Sequence, residues 1–345
     1  MIAGTVLSGT GGVWRVQAAD GQVVEAALRG RLKKHEDYKA REAKLAREGQ
    51  KGAAGKVRGR ARDLARADAE DAEQPRKLAV GDAVTLEHDA ETGAWAIADI
   101  APRRSQLARR TPGGGYGERI VAANVDQVLV VFAAANPDPH PRMLDRFLVI
   151  AESNALAARV VINKADLVGA DAVRARFADY EAAGYPLHVT STRTGEGLGL
   201  LHDALAARTT ALSGPSGVGK SSLMNAMFPE LDLRVGEISR SVNKGRHTTV
   251  GAQLHPLAEG GFVVDTPGLR EVGLWGLEAG DLDAHFPEFR PFRSECRFAD
   301  CTHRVEPGCA VMAARDAGTI SAARYESYAK ILGELEADVP WWEWS

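Results

Sequence analysis

The sequence predicts a multidomain chain: a small all-β barrel at the N-terminus, a central α/β unit with a mostly parallel sheet, and a C-terminal unit built round clustered cysteines and helices. Three observations carry this. Short runs with period-two alternation and glycine punctuation open the chain. Apolar runs alternating with helical segments follow from about residue 122. All three cysteines, Cys296, Cys301 and Cys309, fall together near the end.

Gly4-Thr5-Val6-Leu7, Gly12-Val13-Trp14-Arg15-Val16 and Val23-Val24-Glu25-Ala26 alternate apolar and polar positions, and the pattern returns from Val80 to Ile100. Such closely spaced short strands suit a barrel over residues 1–110. Residues 35–77 interrupt it with a stretch rich in Ala, Arg, Lys, Glu and Asp that has no strand pattern, so it is expected to be a charged insertion, partly helical or without fixed structure. Residues 111–117, glycine-rich, read as a linker. The α/β unit is expected over 118–276. Its markers are a buried strand at Val128–Phe132, a helix from Met143 to Asn154, and strands at Val160–Ile162 and Thr209–Ser213. The last unit, 277–345, is irregular and aromatic-rich and closes with a helix from about Ser321 to Glu336.

At 345 residues with net charge -3, the chain has room for several cores, and its overall charge neither predicts nor excludes a nucleic-acid partner. The longest apolar run, Val128 to Ala135, is too short to span a bilayer, and no basic-then-apolar leader opens the chain. No membrane partner and a cytoplasmic location are expected.

The chemistry lies in three motifs. Gly214-Pro215-Ser216-Gly217-Val218-Gly219-Lys220-Ser221-Ser222 fits a phosphate loop between a strand and a helix. Its glycines permit a tight turn whose N–H groups surround phosphates, Lys220 reaches the outer phosphates, and the Ser221 hydroxyl suits Mg²⁺. Asn163-Lys164-Ala165-Asp166 selects guanine over adenine, and Ser191-Thr192-Arg193 downstream resembles the backbone element that contacts guanine O6. A carboxylate accepts from the ring N–H and exocyclic amine of guanine, where adenine offers the opposite pattern. Asp265-Thr266-Pro267-Gly268 follows the strand Phe262–Val264; Asp265 is placed to hold Mg²⁺ through water and Gly268 to contact the γ-phosphate. Gly245-Arg246-His247-Thr248-Thr249 reads as a mobile loop between them. Thr248 or Thr249 is the candidate metal ligand there, and His247 is either a water-orienting catalytic residue or a solvated loop residue. Leu269 stands near the position where Ras-like proteins carry a water-orienting glutamine, so hydrolysis is expected to be slow unless a partner completes the site. The motifs run in the order base, phosphate loop, Asp-Thr-Pro-Gly, which points to a circular permutation of a GTPase.

Cys296-x₄-Cys301-x-His303-x₅-Cys309 supplies three thiolates and one imidazole, a donor set suited to one closed tetrahedral Zn²⁺ site. Arg290, Phe292, Arg293, Arg297, Phe298 and Arg304 surround it, either as RNA contacts or, for the aromatics, as a small core. Trp341, Trp342 and Trp344 are expected to pack on the last helix.

Together these residues resemble the RsgA (YjeQ) family of small-ribosomal-subunit biogenesis GTPases. The likeness extends to Leu28-Arg29-Gly30-Arg31-Leu32, Ala122-Ala123-Asn124-Val125-Asp126-Gln127 and Glu306-Pro307-Gly308-Cys309, and it covers nearly the whole chain. It implies an OB-fold domain that binds ribosomal RNA, a central GTPase stimulated by the small subunit during late maturation, and a zinc domain that also touches the subunit. By the family's pattern Asn163 and Asp166 read guanine, Gly217 to Ser222 bind phosphates and Mg²⁺, and Cys296, Cys301, His303 and Cys309 bind zinc. A monomer is expected. Val250 stands where a further Thr often extends the loop, and the insertion is longer than the family's usual connection. A GTP-regulated RNA-binding adaptor without hydrolysis is the alternative left open at this point.

Overall fold

The computed structural model describes residues 1–29, 77–110, 118–233, 252–265 and 277–337. Contacts divide the chain into two units, Met1–Arg103 and Arg104–Ser345. The expected insertion at 35–77 (Lys77 apart), the linker at 111–117 and the three C-terminal tryptophans lie outside the described residues.

Period-two alternation builds the first unit. Strands β1 (Ile2–Thr10), β2 (Val13–Ala18), β3 (Val23–Leu28), β4 (Ala83–His88) and β5 (Trp95–Ile100) turn Val6, Val16, Val24, Leu86 and Ile97 into a common core. The strands close in the order β1-β2-β3-β5-β4. β3 and β5 pair in parallel and every other pairing is antiparallel, which is the connectivity of an OB-fold. A register shift between Val6 and Ser8 lets β1 bend round the barrel. Before β4, the buried Asp82 carboxylate accepts from Ala79 N–H at 2.7 Å and from Arg103 at 2.6 and 2.8 Å, so a charge-assisted fork fixes that turn.

The second unit opens with the hairpin β6 (Gln106–Arg110) and β7 (Glu118–Ala123). Six strands then form one sheet: β8 (Gln127–Ala133), β9 (Ala157–Asn163), β10 (Leu187–Val189), β11 (Thr209–Ser213), β12 (Gln253–Pro256) and β13 (Phe262–Asp265), in the order β10-β9-β8-β11-β13-β12. All pairings are parallel except β12 with β13. β8 and β11 are buried at every position, which explains why they read as apolar runs rather than alternations. Helices α1 (Pro141–Ser153), α2 (Ala170–Ala182), α3 (Leu198–Leu205) and α4 (Lys220–Met227) connect them. Proline in its first turn suits the start of α1, and Leu144, Phe147, Leu148 and Ala151 recur at three- and four-residue spacing on its buried face. Helices α3 and α4 cover Leu129, Val131, Leu212 and Val263 through Leu201, Leu205, Leu223 and Met224.

Beyond residue 277 come two 3₁₀ turns (Ala279–His285 and Pro287–Phe289), a short α5 (Arg290–Arg293), α6 (Ala310–Asp316) and α7 (Ala322–Glu336). Ser321 caps α7, accepting from Arg324 N–H at 3.4 Å. This region does not rely on its own small core. Leu282, Phe286, Phe289, Val311, Tyr328 and Ile331 pack with Val149 and Ile150 of α1. Phe292 joins that core in part, whereas Phe298 is exposed beneath the Arg297 guanidinium, 5.5 Å from its ring centre. Across the same boundary, buried Arg324 of α7 donates to Asp145 of α1 at 2.5 Å and to Glu288 at 2.7 and 3.2 Å. Among the described residues no helix is long and apolar enough to cross a membrane.

Candidate functional site

β9, β11 and β13 all deliver their motifs at the C-terminal edge of the parallel strands, the edge where α/β sheets bind ligands. Asn163 is the last residue of β9, the phosphate loop follows Ser213 of β11, and Asp265 ends β13. β8 lies between β9 and β11, so the base motif and the phosphate loop reach each other across its end.

They meet directly. Asn163 Nδ2 donates to the Val218 carbonyl at 3.1 Å, and Lys164 Nζ donates to the Gly217 carbonyl at 2.8 Å and to the Asn136 carbonyl in the loop after β8. Two glycines are required by this closeness. A Cβ on Gly214 (φ +128°) would lie 2.1 Å from the Val131 carbonyl, and one on Gly219 (φ +95°) would lie 2.5 Å from Asn163 Nδ2. The loop then enters α4, where Ser221 is buried and Lys220 Nζ donates to the Gly214 and Pro215 carbonyls at 2.7 and 2.5 Å.

Asp166 sits in the turn after Lys164. Its Oδ1 accepts from the Ser191 hydroxyl at 2.6 Å and its Oδ2 from Arg193 Nε at 2.8 Å. The Ser191 bond, with Arg193 adding to it against the effect of burial, holds the Asp166 carboxyl below its ordinary range, so the group is an anion. Thr192 lies between these two donors in the chain.

The second cluster lies at the turns before α6. The ligand atoms of Cys296, Cys301, His303 and Cys309 all fall within 4.8 Å of one another. Cys296 Sγ is 3.8 Å from Cys309 Sγ, and His303 Nδ1 is 3.5 and 3.4 Å from those two sulfurs. A tetrahedral ion with bonds of about 2.3 Å to sulfur and about 2.0–2.1 Å to nitrogen needs edges of about 3.8 Å and about 3.5 Å, so the donors fit zinc. On the far side of the ring, His303 Nε2 lies 3.1 Å from Asp283 Oδ2. The Asp283 carboxyl is held below its usual range despite burial, by His303 and Arg293, so it accepts the Nε2 proton and leaves the Nδ1 lone pair facing the sulfurs. Burial pushes the Cys301 thiol up to about 12 and the Cys309 thiol up as well. Both must shed protons to bind an ion. The backbone of the cluster is held from outside: Tyr325 Oη donates to the His303 carbonyl at 2.5 Å and Tyr328 Oη to that of Thr302 at 2.9 Å.

Comparisons decide the family. The family profile described as RsgA GTPase matches residues 100–275. A protein of Gemmatimonas aurantiaca named small ribosomal subunit biogenesis GTPase RsgA is 60% identical over 333 residues, covering 96% of this chain and 97% of its own length. The chain belongs to the RsgA GTPase family. A Chromohalobacter salexigens protein of the same name is 43% identical over 261 residues, 75% of each chain. Among solved structures, YjeQ from Thermotoga maritima superposes with a TM-score of 0.71 at 31% identity, covering 97% of this chain and 98% of that one. YloQ, a circularly permuted GTPase, does so at 0.69 and 26%, covering 99% and 96%. RsgA membership makes the chain a GTPase, a hydrolase acting on GTP with a role in ribosome biogenesis, and its motif order is that of a permuted fold.

Of the residues expected in the RsgA nucleotide site, Asn163, Lys164, Asp166, Ser191 and the phosphate loop Gly214–Ser222 are brought together, with Asp265 at the neighbouring strand end. His247, Thr248, Thr249 and Gly268 lie outside the described residues. The sequence reading missed two participants. The Asn136 carbonyl binds the Lys164 side chain, and a backbone acceptor leaves no mark in a sequence. Asp283 sits in no motif, twenty positions before His303, and only the fold brings it to the ring.

Proposed function

We propose that the chain binds GTP between the Asn163–Asp166 and Gly214–Ser222 loops and hydrolyses it during late maturation of the small ribosomal subunit, in the cytoplasm and as a monomer. The observation that carries the reading is the junction of base motif and phosphate loop, Asn163 to Val218 and Lys164 to Gly217, in a chain similar along its length to the Gemmatimonas aurantiaca protein. Asn163, Lys164, Asp166, Ser191 and Thr192 frame the guanine, and Asp166 accepts from its two donors. Backbone N–H groups of Gly214 to Ser222, at the start of α4, meet the phosphates, and Lys220 exchanges its carbonyl partners for phosphate oxygens, placing positive charge where negative charge develops in transfer to water. Ser221, with Asp265 at the end of the neighbouring strand, is the proposed holder of Mg²⁺, which would offset negative charge on the phosphates. His247, Thr248 or Thr249, and Gly268 are the proposed elements on the side of the attacking water and γ-phosphate.

Zn²⁺, one per chain, is the proposed occupant of Cys296, Cys301, His303 and Cys309; it supplies a structural crosslink, not a reaction step. The barrel and the arginine-bearing turns near that cluster, Arg297 and exposed Phe298 among them, are the proposed contacts with ribosomal RNA. GTP turnover measured with and without purified small subunits tests the reading. Subunits should raise turnover by the wild type, Lys220→Ala should lose it in both conditions, and His247→Ala should keep GTP binding while losing the stimulation. Turnover indifferent to subunits would overturn the ribosomal part of the proposal.

A further inference from the structure

Arg193 is in no motif whose role the phosphate chemistry requires, and its side chain is 74% exposed, yet its guanidinium is spent on a carboxylate whose own side chain is only 9% exposed. Nε donates to Asp166 Oδ2 at 2.8 Å, while the Ser191 hydroxyl donates to Oδ1 at 2.6 Å. Ser191 cannot turn away, because its oxygen also accepts the Thr194 N–H at 3.2 Å, which commits its one proton to Asp166. The segment carrying both donors is itself a fixed turn: Ser191 N–H donates to the Glu196 carbonyl at 3.0 Å and Gly195 N–H to the Ser191 carbonyl at 2.9 Å. Each Asp166 oxygen is therefore held by one donor from one short turn, and each keeps a second lone pair for another donor. A carboxylate held at one oxygen can still swing about its last side-chain bond. Held at both, it presents a fixed plane.

Guanine offers that plane two parallel donors, its ring N–H and its exocyclic amine, and reading both needs both oxygens in register. We propose that Arg193 is a positioning residue that sets guanine discrimination: by fixing Oδ2 it keeps the Asp166 carboxylate aligned with the exocyclic amine as well as with the ring N–H. The proposal rests on the reading of Asp166 as the guanine-reading residue and assigns the second donor's recognition to a side chain outside the Asn-Lys-x-Asp motif.

The test uses the full chain and two nucleotides, GTP and ITP, whose base lacks the exocyclic amine. Affinities are measured for wild type, Arg193→Ala, Arg193→Lys and Asp166→Asn. Arg193→Ala should weaken GTP about fivefold, the scale of an exposed charge pair, while ITP changes less than about twofold, so the GTP-to-ITP ratio falls. Arg193→Lys, which restores a charged donor but not the planar fork, should recover part of that ratio. If GTP and ITP weaken together, Arg193 only supports the turn; if neither changes, it does nothing for the base; either result overturns the proposal. Failure of the underlying reading looks different: the wild type would fail to prefer GTP over ATP, or Asp166→Asn would leave that preference intact.

Discussion

Arg324→Met removes the cation from a buried cluster of three charges, and the contacts set its cost. The guanidinium, 3% exposed, makes three hydrogen bonds, to Asp145 at 2.5 Å and to Glu288 at 2.7 and 3.2 Å. It also lies 4.8 Å from the Phe286 ring centre and 5.3 Å from that of Tyr180. Burial alone would favour losing its proton, but the two carboxylates reverse this and keep it charged. Met preserves much of the aliphatic bulk yet leaves two carboxylates, 2% and 9% exposed, without a counter-ion. Breaking one buried pair costs about 3–5 kcal/mol, and two orphaned carboxylates place this case at the upper end, about 5 kcal/mol. For a unit of this size that is a fall of roughly 10–20 °C in Tm. Calorimetry on the full chain reads it directly. The matched control is Arg324→Met with Asp145→Asn and Glu288→Gln, which removes the unpaired charges and should regain more than half of the loss. A fall below about 1 kcal/mol for the single change, or no recovery in the triple, would refute the claim that this cluster fastens α7 to α1.

Gly219→Ala should weaken GTP binding about 10- to 100-fold, since the new Cβ would lie 2.5 Å from Asn163 Nδ2 at a φ of +95° and strain of this kind costs about 1–3 kcal/mol; an unchanged titration would contradict the packing of the two loops. Asp283→Asn should weaken zinc about 10- to 100-fold in competition with a chromophoric chelator, because the His303 ring loses the anion that fixes its tautomer. Zinc removal, or Cys309→Ser, should lower the calorimetric transition and loosen α6, which Cys309 caps through Met312 N–H at 3.4 Å. Glu306 accepts from Thr302, Arg304 and Val305, and these bonds, outweighing burial, hold its carboxyl well below the usual 4.5. A depressed folded-state value stabilises above the unfolded one, so the Tm advantage of wild type over Glu306→Gln, about 1 kcal/mol after allowance for solvent, should be full at pH 7 and shrink as pH falls below about 4.5. An advantage that grows on acidification would have the wrong sign.

The barrel, the parallel sheet and the two groupings of candidate residues were legible because each rests on a local signal. Alternation marks β2 and β3; the apolar run marks β8; the glycine pattern marks a loop that only glycine can build at 214 and 219. What the sequence hid is long-range and polar. Asp145, Glu288 and Arg324 are three ordinary charged residues on three separated segments, and no periodicity distinguishes them from a solvated helix face. Asp283 is hidden for the same reason. The alternative of a small core made by the aromatics near the cysteines was half right: Phe292 goes to a core, but that core is shared with α1 and draws its larger members from Phe286, Phe289 and Tyr328. A pattern reader counts apolar residues within a segment and cannot see that the segment borrows a helix from elsewhere.

That borrowing changes what the permuted order means. In sequence, the C-terminal unit follows Asp265, on the γ-phosphate side of the proposed site. In space, its described contacts go elsewhere: Arg324 to Asp145, Arg146 to Glu334 and Arg290 to Glu152 bind it to α1, and Ser321 to Asp179 binds it to α2, the helix that follows the base motif. Connectivity therefore ties the cysteine cluster to one half of the nucleotide site and packing ties it to the other. The Tyr325 and Arg324 side chains, adjacent on α7, sharpen the point, because one holds the His303 carbonyl and the next holds α1.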